Sequence, residues 1–204
     1  IVGNKNTIFI GIIEEKQYTI NLLKELLITF DYQLIYSNTK NNIIFYSKDS
    51  TILVVISMKL DEIEAFASYG IDFNLLIVNI IDYEFNKKDI FKYQFTKCDY
   101  YIINSDGDNL SNLPLASLNG IVITYGFNSK ATMTISSYMI EQAMEASLCL
   151  QRDILTLSGE RVVPFEFILG INSKNKDHIY SVLSASILIL LLDEKIQFKN
   201  NIKI

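Results

Sequence analysis

Residues 7–29 read TIFIGIIEEKQYTINLLKELLIT, and this stretch decides the fold class. Residues 7–13 form a short apolar run rich in isoleucine, which predicts a buried strand. Residues 17–29 carry an apolar stripe at four-residue spacing, which predicts an amphipathic helix. The stripe consists of Tyr18, Leu22, Leu23, Leu26, Leu27 and Phe30. A strand followed directly by a helix is half of a βαβ unit, so we expect a parallel sheet.

The alternation of strands and helices continues to about residue 125. Further strands are predicted at 42–46, 51–58, 75–81, 100–104 and 121–125, and helices at 61–69 and 87–97. The polar break at 47–50 predicts a hairpin or tight loop. This order is typical of an α/β protein with a doubly wound, mostly parallel sheet.

The pattern changes after residue 127. Strands are predicted at 132–140, 145–151 and 162–169, with a turn at 158–160 and no helix between them. We therefore expect a small antiparallel extension, followed by a final helix over 177–192. Since no linker rich in Gly, Ser or Pro is present, we expect one domain over 1–204. Its parallel α/β part covers about 1–127, and the antiparallel strands and final helix cover about 128–204.

Composition excludes several classes of function. The 204 residues are 50% hydrophobic, enough for a substantial core, and the net charge of −5 argues against nucleic-acid binding. Cys98 and Cys149 cannot form a disulfide framework and match no zinc motif. One histidine, His178, rules out a site that needs two imidazoles, and no Gly-x-Ser-x-Gly elbow is present.

Targeting signals are also absent from the sequence. The first five residues, IVGNK, contain no apolar signal core, and because they lack a methionine we expect residues to precede them. The most apolar stretch, 179–192, falls short of the roughly 20 residues of a spanning helix. We expect a cytoplasmic protein without a membrane span.

The loop after the first strand is the first candidate site, because ligands of open α/β sheets bind beyond the carboxyl ends of strands. A phosphate loop would read G-x-x-x-x-G-K-[ST] here. The chain offers Gly11 and Lys16, but Glu15 stands where the second glycine should be and Gln17 where the Ser or Thr should be. Carboxylates here repel a nucleotide by on the order of a few kcal/mol each. Alternatively, Glu14, Glu15 and Lys16 form a solvated loop and first helical turn.

Two later loops offer further polar side chains. Asp82, after the strand at 75–81, is a candidate metal carboxylate or an ordinary surface residue. Asn104 and Asp106, in the stretch NSDGD, are candidates for contact with a ribose or base, or for an Asx-type turn. His178, near the start of the final helix, is expected to make a local hydrogen bond.

The order of these motifs resembles the central ATP-binding domain of the Mur ligases, the ATP-dependent amide ligases of peptidoglycan synthesis, and of their folylpolyglutamate synthase and capsule synthetase relatives. Where that family has G-T-N-G-K-[TS]-T, this chain has GIIEEKQYT. Asn79 and Asp82 in LLIVNIIDY stand at the family's T-N-I and D-H, and Asn104 and Asp106 in YYIINSDGD stand at its N-x-D-D. VITYGF and HIYSVLSA match the family's T-Y-G strand end and following helix.

The resemblance implies ATP and Mg²⁺ as cofactors and a carboxylate that is activated as an acyl phosphate. It implies Gly11, Lys16, Asn104 and Asp106 as nucleotide-binding residues and Asp82 as a metal ligand. The chain departs from the family at the phosphate loop and at the metal-binding Glu, which falls near Ile56 or Ser57. The resemblance implies Lys92 as the counterpart of the family's carbamylated lysine.

These departures predict a degenerate, stand-alone Mur-ligase-like domain without ligase activity. Its expected role is binding or regulation in cell-envelope, peptidoglycan or spore-wall metabolism, through another protein or through self-association. The alternative is an ATP-binding, ligase-like enzyme with a remodelled phosphate loop. A third hypothesis, an unrelated α/β interaction module, predicts that no antiparallel extension follows Tyr125.

Overall fold

The computed structural model describes residues 6–38, 40, 42–80, 97–106, 118–196 and 202–203. Strand β1 (Asn6–Glu14) is followed by helix α1 (Tyr18–Thr29), as predicted. The β-branched residues of β1 favour an extended strand with both faces buried, and the leucines of α1 face the sheet. The strand–helix unit read from residues 7–29 is therefore confirmed.

The other elements of the parallel part follow in the predicted order, with one addition. They are β2 (Gln33–Asn38), β3 (Ile43–Lys48), β4 (Thr51–Met58), α2 (Ile63–Ser68), β5 (Phe73–Asn79), β6 (Cys98–Asn104) and β7 (Ile121–Tyr125). Strand β2 was not predicted, because its residues are exposed along almost the whole strand and show no alternation of apolar and polar side chains. The predicted helix at 87–97 lies outside the described residues, apart from residue 97.

The C-terminal part contains β8 (Met133–Ile140), β9 (Met144–Leu150), β10 (Ile154–Leu155), β11 (Arg161–Val162), β12 (Phe165–Ile171), α3 (His178–Leu191) and β13 (Ile202–Lys203). The single strand predicted at 162–169 is wrong: β11 pairs with β10, and β12 begins three residues later. Pro164 lies between them and has no N–H to donate, so one ladder cannot continue through it. The turn predicted at 158–160 joins β10 to β11.

Within the described residues the main sheet has 11 strands, in the order β13-β12-β9-β8-β7-β6-β5-β1-β4-β3-β2. Its centre, from β4 through β1, β5 and β6 to β7, is parallel. Strands β2 and β3 add an antiparallel edge on one side. Strands β8, β9 and β12 form the predicted antiparallel extension on the other.

Both faces of the sheet carry a hydrophobic core. Helices α1 and α3 cover one face, and α2 covers the other. Twelve of the fourteen residues of α3 are buried, which explains its apolar sequence. No helix among the described residues has the length and apolar character needed to cross a membrane. The α/β fold class, with a mostly parallel sheet, is thus confirmed.

Candidate functional site

The candidate site lies where the carboxyl ends of the parallel strands meet the first turns of α1 and α3. Strands β1, β4, β5 and β7 end there in Glu14, the pair Ser57 and Met58, Asn79 and Tyr125. This edge is the general ligand-binding position of open α/β sheets. Its chemistry therefore depends on which side chains these strands carry at their ends.

Gly11, a candidate residue of the phosphate loop, lies in the strand that was predicted at residues 7–13. It lies inside β1, where it pairs with Ile56 on one side and Leu76 on the other. A Cβ atom at this position would come within 2.6 Å of Leu76 Cδ1 and 3.2 Å of Phe73 Cε1. The absence of a side chain at Gly11 therefore serves packing of the sheet against its core.

The connection between β1 and α1 consists of three residues, Glu15, Lys16 and Gln17. A phosphate loop needs a longer, glycine-rich connection so that successive backbone amides can curl around the anion. The three exposed residues here lead directly from strand to helix.

Glu14 occupies the space in front of α1. Its side chain is turned inward, with 5% of the residue exposed. Oε2 accepts a hydrogen bond from the Thr19 N–H at 2.8 Å, and Oε1 accepts one from the Ile20 N–H at 3.1 Å. The Ser57 hydroxyl donates to Oε1 at 3.2 Å. The interpretation of Glu14 as part of a solvated loop is therefore wrong, although Glu15 and Lys16 are exposed.

These contacts place a carboxylate on the donors that a bound anion would use. The first N–H groups of a helix have no partner within the helix, and their partial positive charge attracts anions. In this chain Glu14 satisfies two of them from within the protein. Burial raises the pKa of Glu14, and the hydrogen bonds from the two N–H groups oppose that rise.

Beside Glu14, buried polar side chains satisfy one another. Asn79 Nδ2 donates to Thr19 Oγ1 at 2.7 Å and to Ser181 Oγ at 3.3 Å, and Thr19 Oγ1 donates to Ser181 Oγ at 3.1 Å. The Tyr125 hydroxyl donates to Asn79 Oδ1 at 3.1 Å. Burial raises the pKa of Tyr125 well above its usual range, so this hydroxyl stays protonated. The network connects β5, β7, α1 and α3.

Asn104 and Asp106 close a separate turn, which confirms the Asx interpretation. Asn104 Oδ1 accepts the Asp106 N–H at 3.0 Å. The Asp106 carboxylate accepts the backbone N–H of Phe127 at 2.6 Å and of Asn128 at 3.2 Å, together with the Asn128 side-chain amide at 2.9 Å. Gly126, with φ 156°, permits this approach, since a Cβ there would lie 2.5 Å from Asp106 Oδ1. Asp106 thus fastens the end of β6 to the turn after β7.

Lys16 lies on the surface, away from the buried network. Its Nζ is 3.6 Å from Asp177 Oδ2 and 5.7 Å from the centre of the Tyr18 ring, and 62% of its side chain is exposed. The Tyr18 ring in turn contacts His178, with 4.2 Å between ring centroids. Partial burial lowers the pKa of His178, and Asp177 opposes that shift.

The predicted site residues are therefore dispersed. Gly11 is a core position, Lys16 is on the surface, and Asn104 and Asp106 hold a turn. Asp82 and Lys92 lie outside the described residues. Within the part of the chain that is described, no group of three or more His, Cys, Asp or Glu side chains could hold a metal ion. Nucleotide binding by the four predicted residues stays a prediction.

Sequence reasoning missed Ser57, Thr19 and Ser181 as members of the site. Thr19 sits in the first turn of α1, and a hydroxyl there is a recognisable signal for a local hydrogen bond. Ser181 interrupts the apolar sequence of α3. Most buried side-chain hydroxyls have a hydrogen-bond partner, and for Ser181 the partners are Thr19 and Asn79.

The residues at this edge do not fit the ATP and Mg²⁺ that the resemblance implies. The helix donors hold Glu14, and Ser57, near the position of the family's metal-binding Glu, bonds to the same carboxylate. A triphosphate brought here would meet a buried acid in place of free N–H groups.

Comparison with solved structures shows the Mur ligase fold. The structure of UDP-N-acetylmuramoylalanyl-D-glutamyl-2,6-diaminopimelate–D-alanyl-D-alanyl ligase from Acinetobacter baumannii superimposes with a TM-score of 0.63 at 10% identity, over 96% of this chain and 45% of that one. A MurF structure from the same organism gives 0.64 at 11%, over 96% and 44%. A murein peptide ligase from Psychrobacter arcticus gives 0.57 at 10%, over 93% and 44%.

The chain thus spans less than half the length of these ligases. At such low identity the likeness establishes the fold. No protein-family model matches the sequence, and no curated protein matches it.

Proposed function

We propose that this chain is a Mur-ligase-fold domain without ligase activity of its own, which acts by binding or regulation. The observation that carries the proposal is the position of Glu14. Its carboxylate accepts the N–H groups of Thr19 and Ile20 at the start of α1, where a nucleotide phosphate would otherwise bind. The chain supplies its own acceptor, the Glu14 carboxyl group, and leaves two fewer donors for a ligand.

The electrostatics of the buried network support the same conclusion. Phosphoryl transfer depends on positive groups and metal ions arranged around the phosphates. Here the groups next to Glu14 are the neutral hydroxyls of Thr19, Ser57 and Ser181 and the amide of Asn79. Lys16 is directed to the surface and pairs with Asp177.

The biological setting follows by analogy with the ligases that share the fold. One of them is named a murein peptide ligase, and another is named a ligase that joins a UDP-N-acetylmuramoyl peptide to D-alanyl-D-alanine. We propose a cytoplasmic role in cell-envelope, peptidoglycan or spore-wall metabolism, exerted through another protein or through self-association.

One observation favours the alternative, an ATP-dependent ligase-like enzyme. Lys16 is exposed, so its charge is accessible to an anion that approaches from solvent. Such an enzyme would form an amide bond from a carboxylate and an amine, and would hold ATP outside the space that Glu14 fills.

Calorimetric titration with ATP separates the two proposals. We expect no heat of binding at millimolar ATP, with or without Mg²⁺, for the wild type and for Lys16→Ala, because Glu14 blocks the helix donors. Lys130→Ala, in another exposed loop, is the matched control. Binding that is lost in Lys16→Ala but retained in Lys130→Ala would contradict the proposal and support the enzyme.

A further inference from the structure

The free edge of the main sheet is formed by β2 (Gln33–Asn38). Among the described residues, β3 is the strand that pairs with β2, and no strand lies on its outer side. Its segment QLIYSN contains no charged residue and no proline. Protected edges usually carry such residues, because an uncovered strand presents backbone donors and acceptors to other chains.

The side chains of this edge are apolar and exposed. The exposed fractions are 54% for Leu34, 53% for Ile35 and 49% for Tyr36, and Ile28 at the end of the neighbouring α1 is 56% exposed. Leu34 pairs with Tyr46, and Tyr36 pairs with Phe45, across a bulge at Ile35. Tyr46 belongs to the core under α1 and Phe45 packs on the opposite core, so exposed apolar surface borders the edge on both faces of the sheet.

Charges of opposite sign flank the strand symmetrically. Asp31 lies two positions before Gln33, and Lys40 lies two positions after Asn38. If two copies of the strand pair antiparallel with Gln33 of one opposite Asn38 of the other, Asp31 of each copy comes near Lys40 of the other. A parallel pairing would instead bring like charges together. The segment is therefore complementary to itself in one orientation.

We propose that β2 is a self-association edge, on which a second copy of this chain adds its own β2 in antiparallel orientation. The two sheets then become one continuous sheet across a two-fold axis. The pairing of β2 uses none of the contacts of Glu14 and its network, so this inference stands or falls independently of the nucleotide site. Because a six-residue strand buries less than a standard interface, we expect a dissociation constant in the micromolar range.

Sedimentation velocity from about 5 to about 300 µM tests the proposal, since a micromolar dimer assembles across this range. We expect the wild type to shift from monomer to dimer, and Ile35→Lys to weaken the dimer at least about tenfold by placing a charge on the edge. A wild type that stays monomeric throughout, or an Ile35→Lys variant that associates equally well, overturns it.

Two charge variants test the orientation. Asp31→Lys places Lys opposite Lys40 at both ends of the dimer, and Lys40→Glu places Glu opposite Asp31, so each variant alone should associate on the order of tenfold more weakly. An equimolar mixture restores opposite charges at both ends and should recover the dimer. Glu64→Lys, an exposed change of the same charge on α2, is the control and should leave association unchanged. Failure of the mixture to recover the dimer, or equal weakening by Glu64→Lys, contradicts antiparallel pairing.

Folding of each variant is verified by circular dichroism and by its urea midpoint. This is needed because Asp31 has φ 66°, a conformation in which lysine is less favourable than aspartate. Ile35 and Lys40 are exposed, so their variants are expected to fold.

Discussion

At the scale of single residues, Glu14 decides the character of the site. A glutamate after a strand ordinarily turns to solvent, but here the connection to α1 is so short that the side chain lies beneath the helix start. Two backbone N–H groups and the Ser57 hydroxyl compensate its burial. A buried acid is tolerated when such donors surround it.

Replacement of Glu14 tests whether its hydrogen bonds compensate the cost of burying the side chain. Glu14→Gln keeps the size of the side chain but turns an NH₂ group toward one of the two backbone donors, so we expect a loss of about 1–3 kcal/mol in the free energy of unfolding at pH 5. Urea denaturation measures it. Glu15→Gln, the exposed neighbour, serves as the control and should stay within about 0.5 kcal/mol of the wild type.

The difference in stability between the wild type and Glu14→Gln, measured at several pH values, reports the protonation of Glu14. Because burial raises its pKa above the ordinary 4.5, the folded state binds the proton more tightly than the unfolded state does. The stability due to this group is then complete below pH 4.5 and declines as the pH rises through the folded pKa. The deficit of Glu14→Gln should therefore be smaller at pH 8 than at pH 5. A deficit that grows with pH would mean that the hydrogen bonds outweigh burial.

At the scale of elements, β1 determines the geometry of the site, because the strand continues through Gly11 to Glu14 without forming a loop. The strand pairs on both sides over Gly11, and the side chains of Leu76, Phe73 and Met58 fill the space that a side chain at Gly11 would need. The glycine that suggests a phosphate loop in the sequence is thus a packing residue of a central strand.

Gly11→Ala should consequently destabilise the fold. We expect a loss of about 1–3 kcal/mol, because the added methyl group overpacks a closed core against Leu76. The urea midpoint measures the loss. Leu76→Val, which removes one methylene, should cost less in the Gly11→Ala background than in the wild type. Strictly additive losses would argue against this contact as the cause.

At the scale of the whole molecule, the sheet is most protected at its centre and least at β2. Most residues of β1, β5 and β6 are buried between two cores, whereas β2 is exposed along its length and has one strand neighbour among the described residues. The position of a strand in the sheet sets this gradient of burial, and its position in the chain does not.

Hydrogen exchange should follow the gradient. At low micromolar protein we expect the slowest amides in Ile10, Ile77 and Ile102 and the fastest strand amides in β2, since exchange of the central strands requires sub-global or global opening. Mass spectrometry of peptic fragments resolves these segments. Protection of β2 equal to that of β1 under these conditions would show that its edge is covered.

The sequence alone determined the order of most elements, the parallel core, the antiparallel extension and the likeness to Mur ligases. The elements follow from local periodicity, because apolar runs and stripes report which faces are buried, whereas the likeness to Mur ligases is a resemblance in the order of motifs such as VITYGF. Sequence reasoning misassigned Glu14 to a solvated loop, and it did not reveal β2 as the edge strand or Ser57 and Ser181 as parts of the site. Those depend on where strands end relative to one another: the partners of Glu14 are Ser57, 43 positions away, and the first turn of α1. Only the tertiary structure determined these features, because side chains that are far apart in the chain meet at the strand ends and compete for the same hydrogen-bond donors and the same space.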